Sequence, residues 1–247
     1  MKSLQEYLIE SLFKNTNNTP KTKEELQDII KQRINEDGDE VDLNDIDVSN
    51  ITDMSNLFYR HKNFNGDISK WDVSNVTDMS GMFSNCIKFN KDISNWDVSN
   101  VKNMLSMFSG CIRFNEDISK WDVSNVTNMS HMFNKCKSFN QNISKWDVSN
   151  VTNMLGMFLD CKVFNQDISR WDVSNVTNMC GVFYMCKKFN QDISDWDVYN
   201  VTNMSTMFYE CESFNQDISR WDVSKVIDKD KTFDDCPIEE KYKPKFK

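Results

Sequence analysis

DVSNVTDMSGMFSNCIKFNKDISNW, residues 72–96, is followed at once by DVSNVKNMLSMFSGCIRFNEDISKW, residues 97–121. The same 25-residue unit runs without insertion from residue 47 to residue 221 in seven complete copies, and an eighth begins at Asp222 and decays after Cys236. A fixed period with no insertions means one structural turn per copy, each burying its apolar face against its neighbours. The alignment puts Trp71, Trp96, Trp121, Trp146, Trp171, Trp196 and Trp221 in one column. A second column holds Cys86, Cys111, Cys136, Cys161, Cys186, Cys211 and Cys236. Both read as structural ladders.

Within residues 72–96, Met79, Met82, Phe83 and Cys86 fall at i, i+3, i+4 and i+7, the inward stripe of a short helical turn. Thr77 or Asp78 stands where a cap belongs. Phe89 then points inward, residues 90–94 read as a short strand with Ile93 buried, and Trp96, Val98 and Val101 cover the corner into the next copy. The expected fold is a repeat solenoid, leucine-rich-repeat-like, with one short parallel strand and one short helical turn in each 25-residue coil. Its strands would stack ~4.8 Å apart.

The string C-x-x-F-N-x-D-I-S-x-W-D-V-S-N-V-T-N-M-S-x-M-F recurs from residue 47 to about residue 236. It resembles the BspA-type leucine-rich repeat family, in the short-repeat branch known from bacterial surface proteins and lipoproteins. The resemblance implies a right-handed leucine-rich-repeat-like solenoid used for adhesion or protein–protein binding. It implies no catalysis and no cofactor.

The ends read as caps. Leu4, Leu8 and Leu12 give residues 1–14 an amphipathic helical pattern, and residues 15–21 form a polar linker containing Pro20. Residues 22–46 are expected as a helix–strand cap, with a capping box at Thr22 and Glu25 and a helix to about residue 35. Seven repeats then fill 47–221, and 222–247 hold the degenerate eighth repeat, the C-terminal cap and a tail. Capped ends are what keep a stack of repeats soluble.

Composition narrows the function. The chain carries 38 acidic and 29 basic residues, a formal charge of −9, which excludes the basic stripe that nucleic acid requires. No apolar run approaches the ~18 residues of a spanning helix, so no membrane insertion is expected. Glu6 and Glu10 interrupt the N-terminal stretch where an export signal needs an apolar core, which points to a cytoplasmic or virion-associated protein rather than a cell-surface one.

The candidate chemistry dissolves on inspection. The cysteines stand at core positions beside Met and Phe columns, so buried free thiols are expected. His61 and His131 have no constant partner, and a linear ladder cannot supply four converging ligands, so no metal is expected. The column Asp67, Asp92, Asp117, Asn142, Asp167, Asp192 and Asp217 needs neutralisation, for which Lys70, Lys120, Lys145, Arg170 and Arg220 are the expected partners. The sequons such as Asn75-Val76-Thr77 read as corner asparagines, and the threonine column is too narrow for an ice-binding ladder.

Almost every polar residue is copied from coil to coil, so no constellation is unique to one place and no enzyme is expected. Function should lie where the repeats disagree. The position two before the cysteine column, which His61 opens in the first coil, reads Tyr59, Ser84, Ser109, Asn134, Leu159, Tyr184 and Tyr209. Three neighbouring coils thus present Leu159, Tyr184 and Tyr209, with Val163 and Met185 nearby, as candidate partner-binding residues of the kind found in interaction hot spots. The expected role is a non-catalytic protein-interaction or adhesion scaffold without cofactors. The alternatives are a component or decoration of a larger assembly, a virion included, or a stoichiometric inhibitor of a host protein.

Overall fold

The computed structural model describes residues 18–247. The helix expected over 1–14 and the start of the linker lie outside the described residues. Helix α1, Lys23–Asp37, opens on Thr22, whose side chain accepts the Glu25 amide at 3.2 Å. The Glu25 carboxylate reaches back to the Lys21 amide at 2.7 Å, one residue before the partner a capping box would use. The helix runs two residues past the expected end and stops at Gly38, whose φ of 87° suits glycine and whose amide donates to Ile34. Leu26 and Ile30 are its buried side chains, and the Lys23 ammonium holds Asp53 and Ser55 of the first coil. A single 3-10 turn, Glu240–Tyr242, lies in the C-terminal tail.

The repeats are built otherwise than expected. Neither the parallel strand nor the helical turn forms, and no sheet exists among the described residues; each coil contributes only an isolated parallel bridge, as in Asp78↔Asn103. The expected leucine-rich-repeat-like solenoid of strands is therefore replaced by a stack of turn-built coils. The run expected to be helical shows why. The amides of Met79, Gly81, Phe83 and Asn85 donate outward to Asn103, Leu105, Met107 and Ser109 of the next coil at 2.6–3.0 Å. The amides that alternate with them, of Met82, Ser84 and Cys86, close turns onto Met79, Gly81 and Phe83. A helix would need all seven directed along its own axis, and one helical turn per coil cannot repay its nucleation.

Two residues per coil in the left-handed region make this alternation possible. One column is Asn56, Gly81, Ser106, His131, Gly156, Gly181, Thr206 and Lys231, with φ between 52° and 63°. The other is Arg60, Asn85, Gly110, Lys135, Asp160, Met185, Glu210 and Asp235, with φ between 51° and 77°. Most are not glycine, so each such residue carries a backbone cost that the inter-coil bonds must offset.

The expected strand at residues 90–94 fails for a related reason: side chains make its inter-coil bonds. The Asn90 side-chain carbonyl accepts the Asn115 amide at 2.7 Å, and the pattern continues through Asn140, Asn165, Asn190 and Asn215. The Ile93 carbonyl is taken by the indole of Trp121 at 3.1 Å, and the Ser94 amide by the Asp92 carboxylate at 2.9 Å. With these groups engaged, no backbone ladder remains for a strand to build.

The core is aromatic. Phe83 and Phe89 stack within one coil at 4.0 Å between centroids, and Phe83 stacks on Phe108 of the next at 5.6 Å. The indoles of Trp96 and Trp121 lie parallel within 2° at 6.5 Å. Trp146 is 3% exposed, and its indole donates to the Ile118 carbonyl. Trp146→Ala should therefore cost about 3–5 kcal/mol in thermal or urea unfolding. Asn140→Ala would remove the acceptor of the exposed Asn165 amide and should cost about 0.5–1.5 kcal/mol by the same measurement.

Candidate interaction face

The copied residues are consumed by stacking. The Asn75 and Asn100 amides donate to the carbonyls of Ser49 and Ser74, and the Thr77 and Thr127 hydroxyls to those of Thr52 and Lys102. The cysteine ladder is part of the same bonding, with the Cys111 thiol donating to the Phe83 carbonyl. Burial pushes these thiols up, well above the usual range for Cys136 and Cys161. All eight cysteines are free. Cys180 lies outside the ladder and is half-buried, and Cys236 is half-buried at the last coil with its thiol pushed up to about 11.

The aspartate column is neutralised locally. The Ser94 hydroxyl and amide hold Asp92 below the usual carboxylate range, and the Ser194 amide and hydroxyl do the same for Asp192. These bonds outweigh the opposing effect of the neighbouring carboxylates, Asp67 and Asp117 for the first and Asp167 and Asp217 for the second. Lys70, Lys120, Lys145, Arg170 and Arg220, the expected partners, form no ion pair within 4.0 Å among the described residues. No cluster of three or more metal-ligating side chains occurs among the described residues.

Variation between coils gathers on the run that carries the outward amides. Leu159, Tyr184 and Tyr209 occupy one column there, all half-buried. The Tyr184 and Tyr209 rings stack at 4.9 Å within 12°. Leu159 leans over the floor of its own coil and the next: a Cβ placed on Gly156 or Gly181 would meet its Cδ1 at 3.6 or 4.0 Å. Met185 is half-buried, with its amide donating to the Tyr209 carbonyl at 2.8 Å. Val163 stands apart on the turn between Cys161 and Phe164 and is 42% exposed.

Beside this row, Gly156 is required by its neighbour. Its φ is 57°, and any Cβ there would lie 2.6 Å from the His131 imidazole. Burial lowers the His131 pKa, and its Nδ1 has no hydrogen-bond partner among the described residues. At the C-terminal end of the row, the Glu210 amide donates to the Asp234 carbonyl at 3.0 Å. Loss of hydration and the carboxylates of Glu210, Asp235 and Asp234 raise the Tyr209 phenol above its ordinary value. The row thus ends in a concentration of negative charge.

A second recess lies on the same run, at a place the sequence does not single out. Asn56, Tyr59, Gly81 and Leu105 line an open groove of about 340 Å³. Tyr59, 40% exposed, has the Arg60 guanidinium 4.9 Å from its ring centroid. The signal was present in the column, where Tyr59 precedes two serines. Tyr199, 45% exposed with the Lys225 ammonium 3.8 Å from its ring centroid, replaces a serine of the corner.

A family model described as "Mycoplasma protein of unknown function, DUF285" matches residues 25–146 and 128–243. No curated protein and no solved structure matches the chain.

Two measurements check this account. Native-state alkylation followed by mass spectrometry should label Cys180 first and Cys236 more slowly, leaving the buried ladder thiols unreacted until the protein is denatured. The depressed aspartates stabilise the fold fully above their unfolded pKa near 3.9, and that contribution is lost as pH falls through their lower folded values. Melting temperature should therefore drop on acidification below about pH 4, and Asp192→Asn should shrink that dependence.

Proposed function

This chain belongs to the DUF285 repeat family, also known as BspA-like, and we propose that it is a non-catalytic protein-interaction scaffold binding through the positions that differ between repeats. The observation that carries this reading is the division of labour among side chains. Those copied in every coil bond to the coil before or after, as the Asn90, Trp121 and Cys111 ladders do. Many of those that vary lie on one run, where Leu159, Tyr184 and Tyr209 keep half-buried surface. Aromatic side chains with few rotatable bonds and free ring surface are the usual anchors of protein interfaces. The adhesive role of the short-repeat surface-protein branch is the finer form of the same reading.

The test is a pair of surface variants of the full chain, used as bait in its native source after melting curves have been compared. Leu159→Ser combined with Tyr184→Ser should hold most of the stability, since neither side chain is fully buried, yet lose the captured partner. Tyr199→Ser, on the corner, should retain it. Capture of the same partner by the Leu159/Tyr184 double variant and the wild type would remove this face from the proposal.

A further inference from the structure

The partner's chemistry can be read from the row, given the binding role argued above. Tyr184 covers one face of Tyr209. On the other side the column continues with Asp234, too short to cover a ring, and Tyr209 stacks on no ring other than Tyr184 among the described residues. That free ring face borders Glu210, Asp234 and Asp235, none of which forms an ion pair within 4.0 Å among the described residues. Glu210 and Asp235 sit in the left-handed column, with φ of 51° and 55°, so their backbones are held by the turns. The opposite end of the row is apolar, with Leu159 over the glycine floor.

A planar cation fits the first end better than a spherical one. A guanidinium lies flat on an aromatic ring while its edge donates two parallel bonds to a carboxylate, which an ammonium cannot do. Phosphate-bearing ligands are repelled by the same carboxylates. An extended segment places alternate side chains on one face about 7 Å apart, so two or four residues of it span from Tyr209 towards Leu159. We infer that the Leu159–Tyr184–Tyr209 row takes an extended segment of a partner protein, with an arginine on Tyr209 beside Glu210 and Asp234 and an apolar side chain over Leu159.

Selection of a displayed library of short random peptides on the full-length protein tests this. The expected result is enrichment of peptides with an arginine and an apolar residue at alternate positions. A fluorescein-labelled enriched peptide should bind roughly tenfold more weakly to Tyr209→Ser and to the Glu210→Gln, Asp234→Asn double variant. Its affinity for Asp192→Asn, in another column, should be unchanged, and its binding should weaken with added salt. Equal losses in the Asp192→Asn variant would mean unspecific attraction to an acidic chain and would overturn the inference. Enriched peptides that need Leu159 and Tyr184 but contain no arginine would overturn it while leaving the binding face intact. Absence of any enrichment would count against both.

Discussion

Each coil must hand its outward amides to the next coil in register, and that requirement governs the rest of the molecule. Four amides at alternate residues, 79, 81, 83 and 85 in the second coil, find carbonyls 24 residues later. A one-residue insertion anywhere in a coil would turn that alternation inside out, presenting the turn-forming amides to the neighbour. The constancy of the 25-residue period follows. So does the tolerance of the left-handed column for Thr206 and Met185, residues that seldom adopt that region in isolation. The neighbouring coil over-determines the turn, and the local cost is absorbed.

The same constraint separates residues that fold the chain from residues free to do something else. Asparagine, tryptophan and cysteine each serve twice, filling a place in the coil and bonding to its neighbour. Replacing any of them would remove an inter-coil bond, and at the buried tryptophan and cysteine positions it would also leave a hole. A side chain at the position of Tyr184 has no such duty, because Ser84 and Asn134 occupy it in other coils without changing the turn. Chemistry can therefore be written along that column one coil at a time.

The inward pattern was legible because burial is what a spacing reports. Met79, Met82, Phe83 and Cys86 are all 0% exposed, as their spacing required. The backbone that delivers them was not, since a run of linked turns buries the same positions as a helical turn. A contrary signal stood in the sequence: glycine or asparagine recurs at the position of Gly81 and again at that of Asn85, where a helix would exclude them. Likewise the unbroken asparagine column through Asn90 fits a side chain with a fixed bonding duty better than a strand position. The tyrosine row was legible from neighbouring coils. Its acidic end was not, because Glu210, Asp234 and Asp235 meet only when the eighth, degenerate coil is laid on the seventh.

The two ends meet the stacking requirement in different ways. At the start, α1 buries Leu26 and Ile30 and ties Lys23 to Asp53 and Ser55, so the first coil's core is covered by a helix. At the other end no coil stacks on the eighth among the described residues, and the amides of Lys229, Lys231, Phe233 and Asp235 have no acceptor there. Phe246 instead approaches Phe233 at 6.3 Å and ends the aromatic column there. The open amides lie in a run whose Lys229, Lys231, Asp234 and Asp235 are all exposed. Hydrated charges of both signs on an unpaired edge oppose the docking of another chain's backbone. A perfect eighth copy would instead offer apolar columns and open amides together at that edge.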